Sequence, residues 1–132
     1  MIGLRSGTVI YLDTHVVVWL YAALTDKLSN KAIEAIENNQ LLISPIVQLE
    51  LQYLREIDRI TANCALIIET LNCNIGLKIC NQSFIHTVTE AIDLSWTRDP
   101  FDRLIVAQSH ARQIPLLTKD QNILQNSTLA FW

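Results

Sequence analysis

Short apolar runs alternate along this sequence with longer segments whose apolar residues recur at helical spacing. The first run, Val9–Leu12, is rich in β-branched and aromatic residues and predicts a buried central strand. Similar runs predict strands at residues 41–43, 77–79 and 114–117, with an edge strand at residues 128–132. Strands that alternate with helices indicate the α/β class: three layers, α/β/α, around a mostly parallel sheet of four to five strands.

Capping residues indicate where the intervening helices begin. Ser44-Pro45 and Asp99-Pro100 are the strongest of these signals, because proline suits the first helical position. They predict helices from Ser44 to before Asp58 and from Asp99 to about residue 113. Further helices are expected from a Thr14 cap to Tyr21, from a Ser29 cap to Asn38, from a Thr61 cap to Gly76, and at residues 83–91.

Composition limits the classes of protein that the chain can represent. We expect a single domain over residues 1–132, because no linker, repeat or low-complexity segment is present. Half of the residues are hydrophobic, which excludes disorder, and the net charge of −3 is unusual for a nucleic-acid binder. The three cysteines lack C-x-x-C spacing and favour buried free thiols in a reducing cytoplasm. No apolar run approaches the ~20 residues of a membrane span.

Four acidic residues occupy comparable places relative to these elements. Asp13 and Asp120 each follow a strand, while Glu50 and Asp102 lie in the first two turns of helices. A parallel fold brings strand ends and helix starts to one edge of the sheet, so the four carboxylates are expected to converge. Each acid taken singly is more typical of a turn, a cap or an exposed helix position. Together they would repel one another unless a hard divalent cation such as Mg²⁺ compensated them. Such an ion can generate hydroxide from water and stabilise charge on a phosphoryl group, which suggests phosphodiester hydrolysis.

Four segments make the sequence resemble the PIN-domain family, and within it the toxin ribonucleases of bacterial type II toxin–antitoxin pairs. They occur in family order across residues 11–120, and the third is the most specific. The segments are Tyr11-Leu12-Asp13-Thr14-His15-Val16 with Trp19-Leu20, Ser44-Pro45-Ile46 running to Glu50, Arg98-Asp99-Pro100-Phe101-Asp102-Arg103-Leu104-Ile105-Val106-Ala107-Gln108, and Pro115-Leu116-Leu117-Thr118-Lys119-Asp120.

The resemblance implies an Mg²⁺- or Mn²⁺-dependent endoribonuclease that forms homodimers and is neutralised by a cognate antitoxin. Matched residue by residue, the family's metal-binding acids, which are also its catalytic residues, fall on Asp13, Glu50, Asp102 and Asp120. Asp99 matches an additional acid, and Thr118 a hydroxyl beside the pocket. Two departures are visible: Ile123 replaces an aromatic residue, and residues 1–8 extend past the usual start. Neither departure alters the four acids.

The two acids at the Asp99-Pro100 helix start are expected to have different roles. Pro100 disfavours a helical Asp99, which therefore serves as the N-cap and orients the first turn. Asp102 then projects from that turn as the metal ligand.

Cations beside the acids are candidates for binding RNA phosphates: Arg98, Arg103 and Lys119, with Arg112 further along the helix. His15 is either a pocket residue or a structural histidine. The apolar helix of residues 16–21 is a candidate face for a dimer or antitoxin.

Two alternative functions remain open. The first is a catalytically inactive PIN-like module that binds RNA or protein. The second is a phosphoryl-accepting receiver domain, which needs an acid after its third strand and an acidic pair near the first. This chain offers Asp13 alone near the first strand, and intact carboxylates count against an inactive module.

Overall fold

The structure, a computed structural model, describes residues 7–132; residues 1–6 of the N-terminal extension lie outside the described residues. Strands and helices alternate through the described part of the chain, as the apolar pattern predicts. The elements are β1 (Val9–Leu12), α1 (Thr14–Tyr21), a 3₁₀ turn (Thr25–Lys27), α2 (Asn30–Asn38), β2 (Gln40–Ile43), α3 (Pro45–Glu56), α4 (Cys64–Ile75), β3 (Lys78–Ile79), α5 (Phe84–Ile92), α6 (Pro100–Arg112), β4 (Leu116–Leu117), α7 (Gln121–Asn126) and β5 (Ala130–Phe131).

The five strands form one sheet in the order β3-β2-β1-β4-β5, and every neighbouring pair is parallel. The predicted central place of β1 is therefore confirmed. Successive residues of a strand point to opposite faces, and Ile10, Tyr11 and Leu12 are all buried. The sheet is thus covered on both sides, which confirms the predicted α/β class with helices on both faces.

The strand register aligns the ends of three neighbouring strands. Leu12 pairs with Leu117, and the Asp13 N–H donates to the Leu117 carbonyl at 3.0 Å. On the other side Tyr11 pairs with Leu42, one residue before β2 ends. As a result, Asp13, Thr118 and the start of α3 all leave the sheet at the same edge.

The helix starts confirm some of the predicted caps and correct others. Ser29, Ser44 and Asp99 cap α2, α3 and α6 as predicted, each through a side-chain oxygen that accepts a backbone N–H. The predicted caps Thr14 and Thr61 were wrong: Asp13 caps α1, and Asn63 caps α4 by accepting the Leu66 N–H at 2.8 Å. The 3₁₀ turn and α7 were not predicted.

Packing buries one part of the apolar helix α1 and leaves another part accessible to solvent. Val16 and Val17 are fully buried in the core, while Val18, Trp19, Leu20 and Tyr21 pack against it and stay partly exposed. The large apolar side chains that remain exposed lie elsewhere, with Leu49 on α3 and Phe84 and Ile85 on α5 among them.

All three cysteines are free thiols, but only Cys80 is buried, while Cys64 is half-buried and Cys73 exposed. The expectation of buried thiols therefore holds for Cys80. Among the helices of residues 7–132, none has both the length and the apolar character needed to cross a membrane.

Candidate metal centre

Asp13 is buried at the end of β1, where its side chain holds two elements together. It accepts the Thr14 N–H at 2.8 Å as the N-cap of α1 and the Thr118 hydroxyl at 2.6 Å from the end of β4. Burial raises the pKa of Asp13, these two hydrogen bonds oppose that effect, and the charge of Asp120 adds to it. Burial disfavours the ionised form of such a carboxyl group, so a proton or a nearby positive charge stabilises it.

Glu50 reaches the same place from α3. It lies in the second turn after the Ser44-Pro45 start, and its side chain is 9% exposed. The Thr14 hydroxyl donates a hydrogen bond to the Oε1 of Glu50, so Thr14, which follows Asp13, positions Glu50. The pKa of Glu50 is raised by burial first and then by the charge of Asp13, while the Thr14 hydrogen bond opposes the rise.

Asp99 and Asp102 occupy the positions at the start of α6 that Pro100 predicts: the N-cap and the first turn. Asp99 is the N-cap and accepts the backbone N–H groups of Phe101 and Asp102 at 2.8 Å and 3.3 Å. Asp102 is half-buried, and no described residue donates a hydrogen bond to its carboxylate. Its pKa is raised to about 7, mainly by burial and then by the charges of Asp99, Asp13, Asp120 and Glu50. The charges of the other predicted acids therefore all raise the pKa of Asp102.

Asp120 follows β4 and caps α7 by accepting the N–H groups of Asn122 and Ile123 at 2.9 Å and 3.1 Å. Thr118 connects this turn to the first acid: its hydroxyl accepts the Asp120 N–H at 3.0 Å and donates to Asp13. Thr118 therefore lies beside the acids, as predicted.

The chemistry of this cluster fits a hard divalent cation, since its donors are carboxylate oxygens. In the arrangement shown, no three His, Cys, Asp or Glu side chains of residues 7–132 lie close enough to hold one ion together. The capping bonds explain part of this spacing, because Asp13 and Asp120 each commit an oxygen to a separate helix start. Uncompensated carboxylates also repel one another.

The predicted RNA-binding cations have different surroundings. Lys119 lines a cavity of about 230 Å³ together with Asp13, His15, Trp19 and Asp120. This cavity contains two of the predicted acids and includes His15 in its wall.

The three arginines, by contrast, are held by other parts of the chain. Arg103 donates from Nε and Nη2 to the carbonyls of Ala91 and Ile92, at 2.7 Å and 3.0 Å, and so closes the end of α5. Arg98 donates to the Ser95 carbonyl at 2.5 Å. Arg112 lies ten residues beyond Asp102 on α6 and therefore roughly 15 Å away along the helix axis, so it does not flank the acids.

Sequence reasoning missed two features of the site. The hydroxyl of Thr14 was interpreted as a helix cap, although the adjacent Asp13 takes that role and frees Thr14 to contact Glu50. Trp132 packs on Trp19 at the cavity wall, with ring centroids 6.0 Å apart. No signal in the sequence relates residues so distant along the chain.

A five-stranded parallel sheet that gathers carboxylates at one edge defines an α/β domain built around an acidic cavity. The family profile of the PIN domain matches residues 10–128. The chain belongs to the PIN-domain family.

Relatives with known names support this placement. Ribonuclease VapC22 of Mycobacterium tuberculosis is 31% identical over 119 residues, which cover 88% of this chain and 90% of the relative. VapBC2 from Rickettsia felis, solved bound to a promoter DNA fragment, has a TM-score of 0.64 and 20% identity over 89% of this chain and 92% of its own. A toxin–antitoxin complex from Klebsiella pneumoniae has a TM-score of 0.64 and 16% identity, covering 93% and 96%. The two structural likenesses show the fold.

Proposed function

We propose that this protein is a Mg²⁺-dependent endoribonuclease, able to use Mn²⁺, that acts in the cytoplasm as the toxin of a toxin–antitoxin pair. The observation that carries the proposal is the placement of Asp13, Glu50, Asp102 and Asp120 at strand ends and helix starts on one edge of the sheet. Burial and the other acids raise the pKa of Asp102 there to about 7. Such a cluster is costly for a fold unless a cation compensates it. Its place at the carboxyl edge of the sheet, in a PIN-family chain related to a named ribonuclease, supports nuclease chemistry.

Asp13, Glu50, Asp102 and Asp120 would hold the ion. When bound, Mg²⁺ supplies a positive charge that neutralises the pocket and draws electron density from the oxygens of the phosphodiester to be cut. Thr118 and Thr14 orient Asp13 and Glu50 through their hydroxyl groups. Lys119, on the cavity wall, is placed to contact a neighbouring RNA phosphate.

The raised pKa values make ion binding a proton-linked event. Near neutral pH and without a metal, the Asp102 carboxyl holds a proton part of the time, because its pKa is about 7. A ligand must be ionised to bind, so loading the site releases that proton. We expect the apparent affinity for Mg²⁺ to rise between pH 6 and pH 8 for this reason.

A partner surface is also available for the antitoxin and for a second copy of the chain. Phe84, Ile85 and Ile92 on α5 are 67%, 70% and 66% exposed, and Leu49 on α3 is 58% exposed. Leu49 and Phe84 line one shallow cavity between these helices. Apolar side chains this exposed are typical of surfaces that a protein partner covers. The similar structure from Klebsiella pneumoniae is a toxin–antitoxin complex, which supports an antitoxin partner here.

Incubation of the purified protein with single-stranded RNA tests the proposal. Wild type should cut the RNA with Mg²⁺ and not in excess EDTA, and Glu50→Gln should lose at least about 100-fold in rate, because it removes a carboxylate ligand. Glu69→Gln is the matched control: Glu69 is an exposed glutamate on α4 and should leave the rate unchanged.

The same assay addresses the inactive module. The wide spacing of the acids in the arrangement shown is the observation that favours this alternative. A protein that binds RNA with Mg²⁺ but cuts no faster than Glu50→Gln would support a binding module and contradict the nuclease.

A further inference from the structure

A row of aromatic rings leads away from the acids along the cavity wall. His15, two residues after Asp13, lies 6.1 Å from Trp19 between ring centroids. Trp19 in turn meets Trp132 edge-on at 6.0 Å. Trp19 and Trp132 are half-buried, so each keeps part of its surface accessible to solvent, and Trp19 lines the cavity. The row brings residues of α1 and of the chain's end together at one side of the acidic cavity.

Two exposed lysines lie over the indole rings. The Lys119 ammonium lies 5.8 Å from the Trp19 ring centroid and 6.0 Å from that of Trp132. The Lys27 ammonium lies 5.8 Å from Trp19. Both are cation–π distances, and these contacts hold positive charge beside a cavity whose floor is acidic. We call the two indoles and two ammonium groups the tryptophan platform.

We propose that the tryptophan platform is a subsite that stacks a nucleobase of single-stranded RNA next to the phosphate held at the acids, while Lys27 and Lys119 bind flanking phosphates. The assignment rests on the proposed function, because it takes RNA as the substrate. Half-buried tryptophans beside lysines provide the two interactions that bind single strands without reading their sequence: stacking on every base and attraction to every phosphate. Continuity with the cavity sets the path, since Trp19 and Lys119 line it together with Asp13 and Asp120.

The lysine contacts are compatible with an incoming base. Cation–π pairs at exposed positions are weaker than base–aromatic stacking, so a base can replace an ammonium group on the indole. The displaced lysine remains within reach of the same nucleotide and gains a phosphate. The phosphates of a single-stranded RNA thus pair with the two lysines, and its bases stack on the indole rings.

Binding of a short fluorescent single-stranded RNA, measured by anisotropy with Mg²⁺, tests the subsite. The background is Glu50→Gln, so that the probe stays intact. Trp19→Leu and Trp132→Leu should each weaken binding by about 5- to 100-fold, and Trp19→Phe and Trp132→Phe should restore most of the loss, because a ring is retained. A probe with abasic sites should bind weakly and be insensitive to Trp19→Leu.

The lysines have a matched control. Lys119→Gln and Lys27→Gln should each reduce the slope of log affinity against log salt by about 0.7. Lys31→Gln should leave the slope unchanged: Lys31 also makes a cation–π contact, but its partner is Phe131, 5.5 Å from the ring centroid, and not an indole of the tryptophan platform. Equal melting temperatures would exclude misfolding of the variants.

The outcomes separate this subsite from the proposed function. If wild type cuts RNA with Mg²⁺ while both Leu variants bind the probe as tightly as the Glu50→Gln parent, the subsite is wrong and the nuclease stands. Unchanged RNA affinity is also the result expected if a protein partner occupies the platform, and it overturns the proposal. If wild type does not cut RNA but the Leu variants weaken probe binding and the Phe variants restore it, the subsite stands and the nuclease fails.

Discussion

The carboxyl group of Asp102 connects the electrostatics of the site to the stability of the fold. It receives no hydrogen bond from residues 7–132, whereas Asp13 is fixed by Thr118 and Glu50 by Thr14. Burial and four neighbouring acids raise its pKa to about 7. A group of this kind destabilises the folded, metal-free protein whenever it is ionised, and that cost disappears when a cation binds.

In metal-free buffer the free energy of unfolding should therefore fall as the pH rises from about 4 to about 7. Asp102 has a pKa of 3.8 in an ordinary setting and about 7 in the fold, so the folded state binds more protons across this interval. Asp102→Asn should remove this part of the pH dependence. At pH 8 it should be more stable than wild type by roughly 1–2 kcal/mol, after allowance for the screening of a half-buried group. Urea unfolding in EDTA at several pH values measures both effects.

Mg²⁺ should stabilise wild type and not Asp102→Asn, which links the same residue to the ion. Glu69→Gln, at an exposed glutamate, should follow wild type throughout. An Asp102→Asn protein with the full wild-type pH dependence would show that Asp102 is not the strained acid.

The Thr14 hydroxyl gives a second test at the scale of one residue. Thr14 is fully buried and donates to Glu50, so Thr14→Val keeps the shape but leaves that oxygen without its donor. The magnesium dissociation constant, measured by calorimetry, should rise about 10- to 100-fold, as is typical when a partner of a metal ligand is lost. Thr14→Ser retains a hydroxyl and should restore most of the affinity. Equal affinities for Val and wild type would assign Thr14 to packing alone.

Helix starts are the elements that assemble the site. Asp13, Asp99 and Asp120 each cap a helix, and Asp102 lies in the first turn of α6. The partial positive charge at a helix N-terminus stabilises an acid there by about 0.3–1 kcal/mol, which offsets part of the repulsion within the cluster. The fold therefore tolerates four acids at one edge even before an ion is bound.

The start of α6 separates capping from ligation. Asp99→Asn can still cap, so it should keep part of the cleavage activity and recover further at high Mg²⁺. Asp99→Ala loses the cap and should also unfold more easily, by about 1 kcal/mol. Asp102→Asn should show no metal-dependent cleavage at any Mg²⁺ concentration. Rates across a magnesium titration distinguish the three, and an inactive Asp99→Asn beside an active Asp102→Asn would reverse the assignment.

Sequence reasoning located helices best where two signals agreed. Ser44-Pro45 and Asp99-Pro100 combine a cap with proline, and both starts are confirmed. At Thr14 and Thr61 a second capping residue lies close by, and hydrogen-bond geometry selects the other one. Helix α7, Gln121–Asn126, is too short to show an apolar period, so Asp120 was not recognised as its cap.

For the whole molecule, the parallel arrangement and the edge that bears the acids could be predicted, because apolar runs and their ends are local features. Contacts between segments that are far apart along the chain could not be predicted. Trp132 meets Trp19 only because β5 lies at one side of the sheet, and Arg103 bonds to α5 only because α5 packs on α6. The role of α1 as a partner surface stays a prediction: the core covers Val16 and Val17, whereas the helix from Val18 to Tyr21 is only partly buried.

Assembly should depend on α5, because this helix carries the most exposed of the large apolar side chains among the described residues. We expect light scattering to show a dimer at tens of micromolar, and Ile85→Lys to shift it toward monomer, because Ile85 is 70% exposed on the apolar surface of that helix. His86→Lys, at the next exposed position, provides a control for added charge. A wild-type protein that stays strictly monomeric would contradict the dimer, and an Ile85→Lys dimer would place its interface elsewhere.

The proposed function requires Asp13, Glu50, Asp102 and Asp120 to form one metal site. Diffraction from a crystal soaked in Mn²⁺ tests it most directly, because the anomalous signal locates the ion without reference to activity. We expect a peak among these four carboxylates, within about 2.0–2.3 Å of their oxygens, and its disappearance in Asp102→Asn. Saturating Mn²⁺ that gives no peak there, or only peaks at other surfaces, would contradict it.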